Sequence, residues 1–407
     1  MQSELFPMAK KNVCDDIDKI LADRNSLGVR IERELWTSRQ RQGHSLHEVS
    51  YRACFKSQLP QFFIQRLTKT GDRVYDPFSG RGTTVVEAAL MGRRVVANDI
   101  NPISAIFSKP RISPPLLHDI AQRLDAIDVS TNPITDDGDP DLSPFYHLDT
   151  ERELRSLREY LLHRRMDRTE DRVDRWLRMV ATNRLTGHSP GFFSIYTLPP
   201  NQAITSERQR GINARLAQIP PYREIKGIIL KKSKQLLRDL SVIDSRQMAN
   251  LEEDAVFLTG RAQETCDRIP SHSVALTVTS PPFLDVVQYA EDNWLRCWFN
   301  HIDVNKIGMA MSTSRSVDIW AEDMRQTLQE LYRVTRVGGH VAFEVGEVRG
   351  GKIKLDEVIE PLGESVGFVV KAVLINAQTF TKTSNIWGVS NNRKGTNTNR
   401  IVLFRKE

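Results

Sequence analysis

Between Val74 and Pro102 the chain reads VYDPFSGRGTTVVEAALMGRRVVANDINP, and no other stretch constrains the fold as tightly. RVYDPF predicts a short buried strand ended by Pro77, and SGRGTT a glycine-bearing turn. TTVVEAALMG has helical spacing up to Gly92, and RRVVANDI predicts a second strand. Parallel strands joined through a helix require a right-handed crossover. Glycines allow a tight turn and a close ligand approach, while the helix start offers free N–H groups. Asp99, at the end of the second strand, can accept both hydroxyls of a ribose, the nucleoside-binding geometry of doubly wound sheets. A dinucleotide fingerprint needs a third glycine, and here Thr83 and Thr84 follow Gly82.

Length and charge place this unit in a larger frame. A chain of 407 residues predicts two or three units with sizeable cores. No apolar run reaches the roughly 18 residues of a membrane span, and the charged start does not read as a secretory signal. Four scattered cysteines, Cys14, Cys54, Cys266 and Cys297, show no metal-binding spacing, so no metal is expected and a reducing cytoplasm is. Net charge is +6, yet Glu151–Leu240 holds 19 Lys and Arg against 10 Asp and Glu, so the remainder sums to −3. A localised basic excess is the footprint of a phosphate-backbone binder, with a solvated helix face as the bland alternative.

Residues 1–43 read as a polar, mostly helical N-terminal extension, and 44–128 as the nucleoside-binding half of one α/β domain. A Pro-, Asp- and Ser-rich stretch, Val129–Phe145, opens a basic, largely helical insert over residues 129–245. Its aromatic loop GHSPGFFSIYTLPPNQAIT either wedges bases with Phe192, Phe193 and Tyr196 or packs the insert core. Strand patterns resume in 246–407: DAVFLTGRAQE, SVALTVTSPPFLDVV, a helix, Gly turn and strand in LYRVTRVGGHVAFEV, then a terminal antiparallel pair, GFVVKAVLINAQTF and NRIVLFRKE. The expected fold is a doubly wound, mostly parallel sheet interrupted by a helical insert.

The second informative piece is Thr279-Ser280-Pro281-Pro282-Phe283 at a strand end. Ligands of open α/β sheets bind outside the carboxyl ends of the strands, which places this turn at the same crevice as Gly80 and Gly82. Consecutive prolines remove two donors and leave carbonyl acceptors. A serine oxygen, a carbonyl and an aromatic face suit a planar heterocycle bearing an exocyclic amino group.

Together, DPFSGRGTT and TSPPF resemble the cofactor loop and catalytic turn of the DNA amino-methyltransferases that use S-adenosylmethionine, and HSLHEVSYRACFKSQLPQFFI resembles the segment before that loop. The resemblance covers residues 44–102 and 255–348. It implies a seven-stranded methyltransferase sheet in which Asp76, Phe78, Gly80 and Gly82 shape the cofactor loop. It further implies that Thr83 and Thr84 hold the amino-acid end of the cofactor and Asp99 its ribose, with Asn101 and Pro102 beside the adenine. Ser280, Pro281, Pro282 and Phe283 would engage a flipped base; serine in the first turn position usually accompanies N4-methylation of cytosine, and an acidic or amide residue there N6-methylation of adenine. Tyr289, Asn293 and Trp294 are candidates for the pocket wall, with core packing the alternative for Trp294 and Trp298. The implied partner is double-stranded DNA, with a cognate restriction endonuclease as a possible second and cytoplasmic, nucleoid-associated localisation. The insert takes the place of a target-recognition region between the two halves. One departure stands out: Gly260-Arg261 occupies the place where many relatives carry an acid near the adenine.

Three other readings carry less of the sequence. An RNA-modifying relative often has an N-terminal capture domain, for which 43 residues are short. A nucleotide-dependent oxidoreductase leaves TSPPF unexplained, and a catalytically dead DNA-binding module leaves both motifs without a purpose.

Overall fold

The computed structural model describes residues 17–21, 23, 27–33, 35, 43–51, 54–131, 138–197, 204–282, 292–310, 316–349, 351–377 and 398–407. Phe283 and Tyr289 lie outside these described residues.

The predicted strand–helix–strand unit is present as β2 (Arg73–Asp76), α2 (Thr83–Leu90) and β3 (Arg94–Asp99), preceded by β1 (Val29–Arg33) and α1 (Gln58–Leu67). β2 and β3 run parallel with Val74 opposite Val95. Later strands are β4 (Val256–Thr259), β5 (Val274–Thr279), β6 (Thr335–Val345), β9 (Val369–Ala377) and β10 (Thr398–Arg405), and the small β7 (Glu347–Val348) pairs with β8 (Ile353–Lys354) apart from the main sheet. The main sheet has the order β1-β9-β10-β6-β5-β2-β3-β4. Only β10 is antiparallel to its neighbours; every other pairing is parallel. Strand order reverses between β2 and β5, which puts a crevice at the carboxyl ends of those two strands. The doubly wound class and the terminal antiparallel pair match the expectation.

Two details differ from it. Val29–Arg33, read as helix, forms an eighth strand parallel to β9, with Ile31 opposite Leu374. Alternating Val29, Ile31 and polar neighbours is a strand pattern, but it becomes decisive only once a sheet edge is available to pair with it. Gly338 and Gly339, read as a turn before the last parallel strand, lie inside β6. The β5–β6 register shifts there, and a Cβ on Gly339 would stand 3.0 Å from the Ala275 carbonyl, so the glycine permits the irregularity.

Side-chain alternation sorts the core onto the two faces of the sheet. Val74, Ala342 and Leu403 join one buried cluster, while Tyr75, Phe343 and Phe404, each the next residue, join the other. Helices α12 (Val317–Val334) and α13 (Leu355–Ser365) cover the second face, with Leu328, Leu331 and Ile359 buried. α2 and α3 (Ile103–Ile112) cover the first, α4 (Leu117–Ala126) follows, and the insert stacks on this layer.

The insert comprises α5 (Leu148–Met166), α6 (Arg172–Arg184), α7 (Ser206–Leu216), α8 (Ile225–Leu236) and α9 (Val242–Ala249), after which α10 (Trp294–Phe299) and α11 (Val304–Ala310) return to the sheet domain. Trp176 and Leu177 of α6 are fully buried in the same cluster as Phe107 of α3 and Val85 of α2. Trp176 donates its indole N–H to Ser233 Oγ at 2.9 Å, which ties α6 to α8. The insert therefore shares its core with the sheet domain.

Many basic residues of the insert face acids within it or beside it. Asp174, fully buried, accepts from Arg164 Nε at 2.8 Å, from Tyr160 at 3.1 Å and from Arg123 Nη1, and also completes the capping box of α6 with Asp171. Arg155 meets Asp139 and Glu151, Arg178 meets Glu170 at 2.6 Å, and Arg175 meets Glu252 at 2.7 Å. Asp174→Ala would remove the acceptor of Arg164 Nε and Tyr160, one half of the capping box, and one of the two carboxylates that hold Arg123, which keeps Asp171 at 2.7 Å. The variant is expected to lower unfolding free energy in urea by about 2 kcal/mol. A loss below about 1 kcal/mol would assign the hub no more weight than a surface ion pair has.

Candidate active site

The crevice is built from chain segments that leave the carboxyl ends of adjacent strands. After Asp76 the loop 77–82 turns through positive φ at Gly80 (50°) and Gly82 (77°) before α2 begins. A Cβ on Gly82 would lie 2.3 Å from Ser108 Oγ, so this glycine lets α3 close against the loop. At Gly80 a Cβ would meet Cys54 Sγ at 3.7 Å and the Tyr51 ring at 3.8 Å, ordinary contacts, and it is the backbone conformation that favours glycine. The segment before the loop thus lies directly on it, and Arg81 reaches back to the Val49 carbonyl at 3.2 Å.

Asp99 is half-buried at the end of β3. Its Oδ2 accepts from the Gly80 N–H at 2.8 Å and its Oδ1 from the Asn101 N–H at 2.9 Å. Each oxygen keeps a lone pair for a ligand hydroxyl. Asn101 is buried, caps the Ile103 N–H with its Oδ1 at 3.0 Å, and leaves its Nδ2 without a partner. Pro102 starts α3. The Gly260 N–H donates to the Asp99 carbonyl at 3.1 Å, so the Gly260-Arg261 corner stands beside Asp99, whereas the Arg261 guanidinium turns to Asp323 at 3.4 Å.

Asp76, 1% exposed, accepts from Thr279 Oγ1 at 2.7 Å and from the Phe78 N–H at 3.2 Å. That first bond joins the end of β2 to the end of β5 and brings the two motifs together although 203 positions separate the pair. Phe78 packs against the second-face core. Thr83 and Thr84 are both buried: Thr83 Oγ1 accepts from Arg81 Nε at 3.2 Å, and Thr84 Oγ1 donates to the Val278 carbonyl at 3.0 Å. In this structure Thr84 braces β5, a task its sequence position did not suggest.

The turn at Ser280 has two supports that sequence reasoning missed. Glu344, 3% exposed at the end of β6, holds the hydroxyl of Ser280 and the Nδ2–H of Asn399 on its carboxylate. Trp320 of α12 donates its indole N–H to the Pro282 carbonyl at 3.0 Å, so that carbonyl is engaged and does not point free into the crevice. An acid inside the otherwise apolar run HVAFEV was the available signal for Glu344. No comparable signal marked Trp320.

Three carboxyl groups therefore converge near the strand ends. Burial pushes Asp76 up to about 7 and Glu344 up to about 7, and Asp99 up to about 6, against the hydrogen bonds that favour ionisation. Such a cluster disfavours further negative charge and suits a ligand that brings positive charge and hydroxyl groups. S-adenosylmethionine has both, in its sulfonium and ammonium centres and its ribose, and the unpartnered Asn101 Nδ2 offers a donor. The residues present fit that group.

The remaining aromatic candidates pack. Trp294 bonds the Ile204 carbonyl at 3.2 Å and lies 6.1 Å from the Phe145 ring, while Asn293 accepts from Arg296 at 2.9 Å. Trp298 bonds Asp139 at 3.0 Å beneath Arg155 and Arg158. In the insert loop Phe192 and Phe193 are buried and Tyr196 is half-buried, which favours the core reading for the two phenylalanines.

Part of the chain is similar to known proteins. Residues 11–106 match the model of a DNA methylase family. Among curated relatives, the type II methyltransferase M.MjaII of Methanocaldococcus jannaschii is 33% identical over 69 residues, covering 17% of this chain and 13% of that protein. M.MvaI of Kocuria varians is 33% identical over 108 residues, 26% of this chain and 22% of the relative. The chain thus spans only 13% to 22% of the length of these relatives. Among solved structures, TrmN from Thermus thermophilus overlaps 89% of this chain and 52% of its own at 11% identity, with a TM-score of 0.33. Geranyl diphosphate C-methyltransferase from Streptomyces coelicolor overlaps 86% of this chain and 76% of its own at 8% identity, with a TM-score of 0.35. Over residues 11–106, which hold the whole cofactor loop and Asp99, the chain carries the signature of the N6/N4 DNA methylase family.

Proposed function

We propose that this protein is a DNA methyltransferase that uses S-adenosylmethionine and acts on the exocyclic N4 amino group of a flipped cytosine within a short recognition sequence. The observation that carries this reading is the junction of Asp76 with Thr279, which joins the Ser280 turn to the loop whose Gly80 bonds Asp99.

S-adenosylmethionine would supply an electrophilic methyl group. Asp99 would take its ribose hydroxyls, and Asn101 and Pro102 would border its adenine. The loop from Asp76 through Phe78, Gly80 and Gly82 to Thr83 and Thr84 would shape the seat for its amino-acid end. On the other side, the Ser280 hydroxyl proton is directed at Glu344, which leaves an oxygen lone pair for the crevice. That lone pair and the Pro281 carbonyl would accept from the target amino group and turn its own lone pair towards the methyl. Holding the two reactants in line supplies much of the rate in such a transfer. Phe283 would stack on the base. Double-stranded DNA would lie against the basic insert.

Product identification tests the reading directly. The protein, incubated with S-adenosylmethionine and unmodified genomic DNA, is expected to yield N4-methylcytosine on nucleoside digestion and mass spectrometry. N6-methyladenine in its place would keep the enzyme class and remove the inference from Ser280 to cytosine. The absence of any methylated nucleoside would reject DNA as the substrate.

A further inference from the structure

Three buried cations stand in a row around the segment that covers the cofactor loop. Arg296 of α10 donates from Nη2 to the Ser50 carbonyl at 3.2 Å and from Nη1 to Asn293, and its guanidinium lies 5.6 Å from the Tyr51 ring and 5.5 Å from the Phe107 ring. Asn183 bonds the same Ser50 carbonyl at 3.1 Å, and its neighbour Arg184 donates from Nη2 back to Asn183 Oδ1. The Arg184 guanidinium stacks 4.0 Å from the Phe192 ring. Lys232 of α8, 6% exposed, completes the row.

Among the described residues, cations along this row outnumber the acids beside them. Glu48 is the acid at one end, and it is shared by Lys232 at 3.5 Å and Arg238 at 3.1 Å. Asp292 is the acid that acts on Arg296. Arg184, 8% exposed, lies between them, feels the Glu48 charge without touching it, and forms no ion pair of its own among the described residues. Burial pulls Arg184 down to about 10, with the Arg296 charge adding to the effect, and Lys232 down to about 8, with Arg184 adding in turn. Rings and carbonyls compensate part of such a cost, but a buried guanidinium normally has a counter-charge. The aromatic loop also looks designed to hold Arg184: a Cβ on Gly187 would fall 2.3 Å from Phe192, and the Phe193 N–H bonds the Arg184 carbonyl at 2.9 Å. The row adjoins the crevice through Tyr51, whose ring touches the Gly80 position.

We propose that Arg184 and Arg296 form an oxyanion subsite at the wall of the crevice, which takes a carboxylate or phosphate group of a substrate. Under the proposed function, on which the choice of sources rests, the group is either the carboxylate of the cofactor's amino-acid end or a DNA phosphate. Planar guanidinium forks bind both by paired N–H donors. The aromatic loop then serves as a platform that aims an arginine.

Calorimetric titration and salt-dependent DNA binding separate the sources. For the full chain, Arg184→Gln and Arg296→Gln are compared with wild type and with the surface variant Arg325→Gln. If the anion is the cofactor carboxylate, affinity for S-adenosylhomocysteine falls about 10-fold or more, while affinity for 5′-methylthioadenosine, which lacks the amino-acid end, holds. If it is a phosphate, both nucleosides bind as before and the slope of log affinity for duplex DNA against log salt falls by about 0.9 per variant. Should the glutamine variants fail to fold, Arg184→Lys and Arg296→Lys, which keep the charge and lose the fork, carry the same comparison. Unchanged affinity for every ligand overturns the subsite and leaves the two arginines as structural. Wild-type protein that binds S-adenosylhomocysteine through these arginines yet methylates no DNA would refute the function and keep the subsite.

Discussion

Glu344→Gln is expected to lower kcat by about 100-fold or more while the Kd for S-adenosylmethionine stays within about twofold. The carboxylate accepts from Ser280 and from Asn399, so it fixes the serine proton away from the crevice. A glutamine can present its own N–H to Ser280; the serine proton then turns outward, against the N–H groups of the target base. The pH profile adds a readout that a merely structural role would not move. Burial holds Glu344 near 7, and only the ionised form accepts from both partners. In the wild type kcat should therefore rise with pH through about 7, and this limb should vanish in the variant. A variant that keeps the limb would remove Glu344 from the turn's chemistry and leave it a packing residue.

Asp99→Ala should act on the opposite half of the site. Two hydrogen bonds from ribose hydroxyls to a carboxylate are worth about 1.5–3 kcal/mol, or roughly 10- to 150-fold in Kd for S-adenosylmethionine. The loss includes a second component, because Gly80 and Asn101 each give an N–H to this carboxylate and the loop relaxes without it. Asp99→Asn separates the two: it keeps an oxygen for one N–H and loses the charge. Burial raises Asp99 to about 6, so affinity in the wild type should strengthen as pH rises from 5 to 7, where the acid ionises. The asparagine variant should bind weakly at both ends of that range. Equal affinity in wild type and Asp99→Ala would take Asp99 out of the site.

What could be read ahead of the structure follows from the distance over which each feature acts. Asp99 and Gly80 are 19 positions apart and belong to one supersecondary unit, so their spacing alone placed both at one crevice, although not the hydrogen bond between them. The Ser280 turn was legible because two prolines after a strand have few other uses. Glu344 depends on Asn399, 55 residues later, and on the strand order that puts β6 beside β5. Only the assembled sheet turns that acid from an oddity in an apolar run into a partner for serine. The same holds for Arg30 of β1, which meets Asp356 at 3.0 Å across 326 residues. Net charge is a coarser guide: the excess in the insert is real, and Asp174, Glu170 and Glu252 engage part of its arginines within the fold, so the total does not tell which of them face outward.

The shared core under the insert limits how recognition can change. Trp176 and Leu177 are packed in the same cluster as Phe107 and Val85, and Asn183 bonds the backbone at Ser50, in the segment that lies on the cofactor loop. If the insert reads the target sequence as proposed, it cannot be exchanged as a cassette, because its inner surface is also the outer wall of the sheet domain. New specificity is confined to residues on the outward faces and loops of α5–α9, and grafts that cut deeper must carry α2 and α3 with them.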